Sequence, residues 1–198
     1  MGELDALNML LRLIGSSPVN SISTNHPDAA NARATLERIR KRVQRKGWWC
    51  NIDYNVQFQP DNLGFIQIPA TISSFVTNSC YVQRGSKLYD KVNNTFAFGA
   101  AVTASRVVRL LDWDDMPDLM QEYASYYAAA EFIRDELEDP QKETSLQRSA
   151  ASSLLDLKKQ ELEEGQYNVF NNARVSRMRQ GVSPYARGNK RFAGDPDV

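Results

Sequence analysis

Carboxylates are the commonest side chains here that could do chemistry. Asp112, Asp114, Asp115 and Asp118 crowd one stretch, and Glu122, Glu131, Asp135, Glu136, Glu138, Asp139 and Glu143 follow. Two carboxylates held in a cleft, one with a raised pKa, would form an acid–base pair of the glycosidase kind. These acids instead fall at exposed helical positions among other acids, where a solvated face is the better reading. Serines are numerous, but His26 is the single histidine, and it precedes Pro27 at a helix start, a capping or surface position. Cys50 and Cys80 belong to no CxxC motif, and with one histidine they make no zinc site. They read as reduced, partly buried thiols. No glycine-rich phosphate loop or dinucleotide fingerprint occurs. The expectation is a non-enzyme without metal or cofactor.

A second possible chemistry is phosphate binding. Arg33, Arg38, Arg40, Lys41, Arg42, Arg45 and Lys46 crowd residues 29–46, and basic side chains on one element release counterions from nucleic acid. DNA binding through that helix is therefore the alternative function, although no helix-turn-helix, zinc-finger or RNP pattern accompanies it. The acidic run from Asp112 to Glu143 is opposed by only Arg134 and Lys142. Acidic and basic residues balance at 24 each, so the chain is neutral yet segregates its charge. The acidic face of one copy could meet the basic face of the next, a heterologous contact that closes into a ring when the rotation permits. Two solvated faces with no mutual contact are an equally open reading. The candidate interface residues are Arg33, Arg38, Arg40, Arg42 and Arg45, with Glu131, Asp135 and Glu138.

These side chains must be positioned by the elements that the apolar periodicity defines. Leu4, Leu7, Leu11 and Ile14 recur at three- and four-residue spacing before Gly15, predicting a short helix. A Ser-, Asn- and Pro-containing loop leads to a second helix that opens on Pro27, carries Ala32, Leu36, Ile39 and Val43, and closes at Lys46-Gly47. After Trp48-Trp49 the period changes to two, with Ile52, Tyr54, Val56 and Phe58 alternating as in a half-buried strand. Further β candidates are Phe65–Ile68, a hairpin around Arg84-Gly85-Ser86 and a run from Val102 to Leu111, with a turn at Asn93-Asn94. Pro117 opens a helix whose broad face is Tyr123, Tyr126, Tyr127, Ala130, Ile133 and Leu137. Asp139-Pro140 starts a last one carrying Leu146, Ala150, Leu154, Leu157 and Leu162 to Gly165.

The expected fold is α+β: an antiparallel helical bundle (residues 1–49 and 112–165), an inserted small antiparallel β module (50–111) and an extended C-terminal arm (166–198). The arm has few large apolar residues and many charges, so it should order only on a partner. Its thirty-odd residues could reach on the order of 100 Å. Its binding candidates are Arg174, Arg177, Arg179, Tyr185, Arg187, Lys190, Arg191 and Phe192. The apolar fraction of 42% is that of an ordinary globular protein, and no stretch suggests a membrane span or a leader, so synthesis in a cytoplasm is expected.

Four blocks, in order, carry a family likeness: LNMLLRLIGSSP from Leu7, DAANARATLERIRKRVQRKGWWCN from Asp28, YVQRGSKLYD from Tyr81 and RVVRLLDWDDMP from Arg106. Together they resemble the tail tubular protein A family of short-tailed phages, also called gatekeepers or head-to-tail connectors. The matching spans Ala6 to Phe132, about two-thirds of the chain. The resemblance implies a virion protein: a dodecameric adaptor ring beneath the portal, with DNA passing through its channel. It also implies that the nozzle protein, tail tubular protein B, docks on the other side and that tail fibres attach around the junction. On that reading the arm holds the portal, and Arg84, Lys87, Asn93 and Asn94 of the β module face the nozzle.

Overall fold

The computed structural model describes residues 1–24, 26–137 and 139–164. Helix α1 (Glu3–Leu13) buries Ala6, Leu7, Leu10 and Leu11, and Gly15 follows at φ +75°, a conformation that costs glycine alone nothing. Helix α2 (Pro27–Gln44) starts on its proline and buries Ala29, Ala32, Leu36, Ile39 and Val43. Helix α3 (Asp118–Glu136) packs on both.

The face that α3 buries matches the expected one only in part: Ala130 and Ile133 are buried as expected. Met120, Ala124, Ala128 and Phe132 point inward with Ser125, whereas Tyr123, Tyr126 and Tyr127 are half-buried and Leu137 is exposed. Small side chains let three helix backbones approach closely, so the alanine side takes the centre and the bulky tyrosines move to the rim. Helix α4 (Pro140–Glu164) is capped by Asp139, whose Oδ1 accepts the N–H groups of Gln141 and Lys142 at 3.1 Å each. It buries Ala150, Ser153 and Leu157; Leu162, expected on that stripe, is 61% exposed.

Strands β1 (Ile52–Phe58), β2 (Ile72–Val76) and β5 (Val102–Arg109) form an antiparallel sheet in the order β1-β5-β2. Strands β3 (Tyr81–Arg84) and β4 (Lys87–Asp90) form a separate hairpin. The expected strand at Phe65–Ile68 is instead a bridging segment: Phe65 pairs with Ala97, Gln67 with Lys87, and Ile66 and Ile68 are buried. Tyr54, expected to face inward, is exposed; its neighbour Asn55 sits at φ +56° in the middle of β1.

Residues Met1–Glu161 make one compact unit; of the other, Leu162–Val198, the structure describes only the three residues to Glu164. Within the first unit the apolar side chains gather into two clusters. One joins α1, α2, α3 and Leu157 around Trp48 and Trp113, and the other joins Phe58, Ile66, Ile68, Ile72, Leu88 and Val107 between the strands.

Two buried amides tie the chain where it passes from helices to strands and back. Gln44, at the end of α2, donates to Leu111 O (3.0 Å) and accepts from Leu111 N (2.5 Å). Asn51 accepts from Trp48 N (2.7 Å) and donates to Gln44 O (3.0 Å) and Arg109 O (2.7 Å). Both are at most 2% exposed, so these bonds lie in a low-dielectric setting where leaving one unmade is costly.

Candidate assembly surfaces

The charged helices lie side by side, and their charges meet within one subunit. Arg38 Nη1 lies 3.3 Å from Glu131 Oε2 and its Nη2 3.3 Å from Asp135 Oδ2. Arg42 bonds the other oxygen of Glu131 and the hydroxyl of Tyr127 (3.0 Å), and the Tyr127 bond, with Glu131, raises its pKa. The four-residue spacing of 38/42 and 131/135 produces this ladder, with the Glu131 side chain only 7% exposed at its centre. Arg40 is likewise committed, to Glu37 (2.8 and 2.9 Å), Asp112 (3.1 Å) and Leu111 O (2.7 Å). Hydrogen bonding from Arg40 holds the Glu37 carboxyl below its usual range.

Of the remaining interface candidates, Arg33 donates to Ile22 O (3.2 Å) and Arg45 is exposed. Glu138 lies outside the described residues, as do Arg174, Arg177, Arg179, Tyr185, Arg187, Lys190, Arg191 and Phe192. The sequence left the basic helix free either to meet the next copy or to face solvent. In the structure Arg38 and Arg42 reach their acidic partners at home, because α2 packs directly on α3.

Arg84 and Lys87 flank the turn of the β3–β4 hairpin, and Asn93 and Asn94 lie in the turn that follows β4. Gly85, at φ +62°, makes the hairpin's two-residue turn. The Arg84 guanidinium lies 3.7 Å from the Tyr89 ring centre and the Lys87 ammonium 3.8 Å from that of Phe65, both cation–π contacts. Asn94, at φ +53°, accepts from the Tyr89 hydroxyl (3.3 Å). Asp90 accepts the N–H groups of Val92 (2.8 Å) and Asn93 (3.1 Å) and the Asn93 side chain (2.8 Å). The Asn93 bonds hold its carboxyl below the usual range. The hairpin is thus braced, with Arg84 exposed and Lys87 half-buried at its turn end.

Gln44 and Asn51 were not singled out from sequence. Gln44 carried a usable signal, a polar residue continuing the stripe of Leu36, Ile39 and Val43; Asn51 carried none. Tyr123 and Tyr127 stack with ring centres 5.9 Å apart on an open groove of about 360 Å³ between α3 and α4. Cys50 and Cys80 are free and half-buried, and burial pushes the Cys50 thiol up to about 11. Among the described residues no three His, Cys, Asp or Glu side chains converge, and no helix is long and apolar enough to cross a membrane.

Paired charges, a braced hairpin and two cores joined through Gln44 and Asn51 make surfaces the candidate working parts of the chain. The family profile described as "Tail tubular protein" matches residues 4–178. Tail tubular protein A of Klebsiella phage KP34 is 31% identical over 140 residues, covering 69% of this chain and 74% of that protein. The chain belongs to the tail tubular protein family and is a structural component of the virion tail of a short-tailed phage.

Proposed function

We propose that the chain is the subunit of an adaptor ring at the head-to-tail junction, joining portal to nozzle and forming part of the channel for genomic DNA. Family membership supports this reading, and the observation that carries it is the Gln44–Asn51 junction. An adaptor must hold its two docking ends in fixed relation, and buried bonds at both crossings between helices and strands do that. The helical part (1–49 and 112–165) is the ring body, the β insertion (50–111) meets the nozzle protein through Arg84, Lys87, Asn93 and Asn94, and the segment 166–198 holds the portal. Twelve copies and tail-fibre attachment follow from the family likeness alone.

Arg38, Arg40, Arg42, Glu131 and Asp135 then serve the ring by fixing the shape of each subunit. Arg33, Arg45 and Glu138 remain for the neighbour. The same pairing weighs against DNA binding through residues 29–46, since Glu131, Asp135, Glu37 and Asp112 already face three of the guanidinium groups. Filter binding to duplex DNA across a salt series tests that alternative, because multivalent phosphate binding weakens steeply with salt.

Truncation after Glu164 tests the portal role of the C-terminal segment. The shortened protein should keep its circular dichroism and lose co-sedimentation with purified portal. Undiminished co-sedimentation would reassign portal binding to the helical body.

A further inference from the structure

Most charges of α2 and α3 are spent within the subunit, but three cations gathered at the end of α2 are not. Among the described residues, the Arg45 and Arg106 guanidinium groups make no hydrogen bond, ion pair or ring contact, and the Lys46 ammonium meets only the Trp48 ring (4.6 Å). The three share one place. Arg45 and Lys46 are exposed and run into Gly47, and Arg106 of β5 lays its guanidinium over Gly47, where an added Cβ would meet it.

Three carboxylates are left over in the same way. The side chains of Glu3, Asp114 and Asp115 have no hydrogen-bond or ion-pair partner among the described residues. They too stand together: burial raises the Glu3 pKa, Arg40 lowers it, and the Glu37, Asp114 and Asp112 carboxylates raise it further. Asp114 and Asp115 are both exposed.

The two groups lie on opposite sides of α2. A helix turns by about 100° per residue, so Arg40 and Arg42 point in nearly opposite directions. Arg40 reaches Asp112 (3.1 Å), on the acidic side. Arg42 reaches Tyr127 (3.0 Å) and, with Lys46, Trp48 and Tyr127, lines a groove of about 230 Å³. A head-to-tail contact between identical copies needs this arrangement, since one patch must meet a different patch on the next copy.

We propose that Arg45, Lys46 and Arg106 of one copy receive Glu3, Asp114 and Asp115 of the next. This contact rests on the ring-subunit reading given above and adds which side chains meet.

A second copy is the occupant that the charges single out. Residues 165–198 hold six basic side chains and two acidic ones, so that segment is repelled by the basic cluster. Nucleic-acid phosphates would neutralise the basic cluster and leave the acidic one without a counterpart, whereas a second copy satisfies both at once. Exposed ion pairs add little affinity each. The contact therefore fixes register and partner choice, and isolated subunits associate only in about the 1 mM range.

The test is small-angle X-ray scattering of the full-length chain without portal, at low salt and up to about 1 mM. One variant carries Arg45→Glu with Lys46→Glu, the other Asp114→Lys with Asp115→Lys, all at exposed positions; circular dichroism checks that each folds. The apparent mass of the wild type should rise with concentration. Each variant has two like-charged faces and should associate about tenfold more weakly or worse. An equimolar mixture of the two should regain wild-type association, because every contact in it again joins opposite charges. Wild type that stays monomeric, variants that associate like wild type, or a mixture no better than either variant would overturn the proposal. So would association that disappears on truncation after Glu164, which would give the acidic cluster to the basic C-terminal segment. Binding of duplex DNA that is lost with Arg45→Glu and Lys46→Glu, with self-association unchanged, would give the basic cluster to phosphates and overturn it as well. Portal is absent from these measurements, so a failure of the contact and a failure of the adaptor reading register in different experiments.

Discussion

Replacing Asn51 by leucine keeps the side chain's size and removes three buried hydrogen bonds. The Gln44 carbonyl retains a partner in Gly47 N (3.0 Å), whereas Trp48 N–H and Arg109 C=O lose the bond that Asn51 gives them. At ~1–3 kcal/mol for each stranded group, the loss is about 2–6 kcal/mol. For a chain of this length that lowers the melting temperature by roughly 5–20 °C. The assay is urea and thermal unfolding with amide hydrogen exchange, using exposed Lys158→Ala as a control expected within about 0.5 kcal/mol of wild type. Exchange should quicken first at Arg109–Leu111 and Trp48–Ile52, where the chain crosses between the cores. Asn51→Asp should be at least as damaging at neutral pH, since it sets a carboxylate against two carbonyls, and should recover in part as acid protonates it. A loss below about 1 kcal/mol for Asn51→Leu, or unchanged exchange at those segments, would refute the idea that this side chain locks the two parts together.

Three further outcomes follow from the same geometry. Gly47 sits at φ +76°, where an added Cβ would press into the Arg106 guanidinium and lie 3.1 Å from Val108 Cγ2; Gly47→Ala should cost about 1–3 kcal/mol by denaturant titration. Adding Arg106→Ala should recover only the crowding share of that loss. Glu131→Gln should cost about 1–3 kcal/mol, because Arg38 and Arg42 are half-exposed and rehydrate; the difference should shrink in high salt. At pH 8 a thiol raised from 9.0 to about 11 has about 100-fold less thiolate, so iodoacetamide should label Cys50 far more slowly in the native than in the unfolded protein. The sign for stability agrees: the unfolded thiol ionises first, so this contribution is present below pH 9 and lost as pH rises towards 11.

Strong local signals made some of the architecture legible in the sequence. Pro27 at a helix start, Gly15 and Gly47 at helix ends, and Arg84-Gly85-Ser86 between β-prone runs each act through the backbone, whatever surrounds them. Strand β2 was missed because a register shift between Ile72 and Ser74 breaks its alternation, leaving Ile72 and Phe75 three apart on one side. Ala130 and Ile133 of α3 are buried as expected, but the tyrosines of that face were misjudged because size was read as burial. Where three helices converge, Ala124 and Ala128 fit the centre, and Tyr123 and Tyr127 do not. The candidate charges were visible, but which ones pair depends on which helices are neighbours. That is set by the apolar stripes of α2 and α3 together, so the pairing of Arg38 and Arg42 with Glu131 could not be read from either helix alone.

Negative-stain imaging of the purified full-length chain mixed with purified portal bears most directly on the adaptor role. A second ring of subunits, stacked on one face of the portal and absent when portal is omitted from the grid, is the predicted image. Bare portal rings beside unattached protein, at concentrations where both partners are folded, would contradict it.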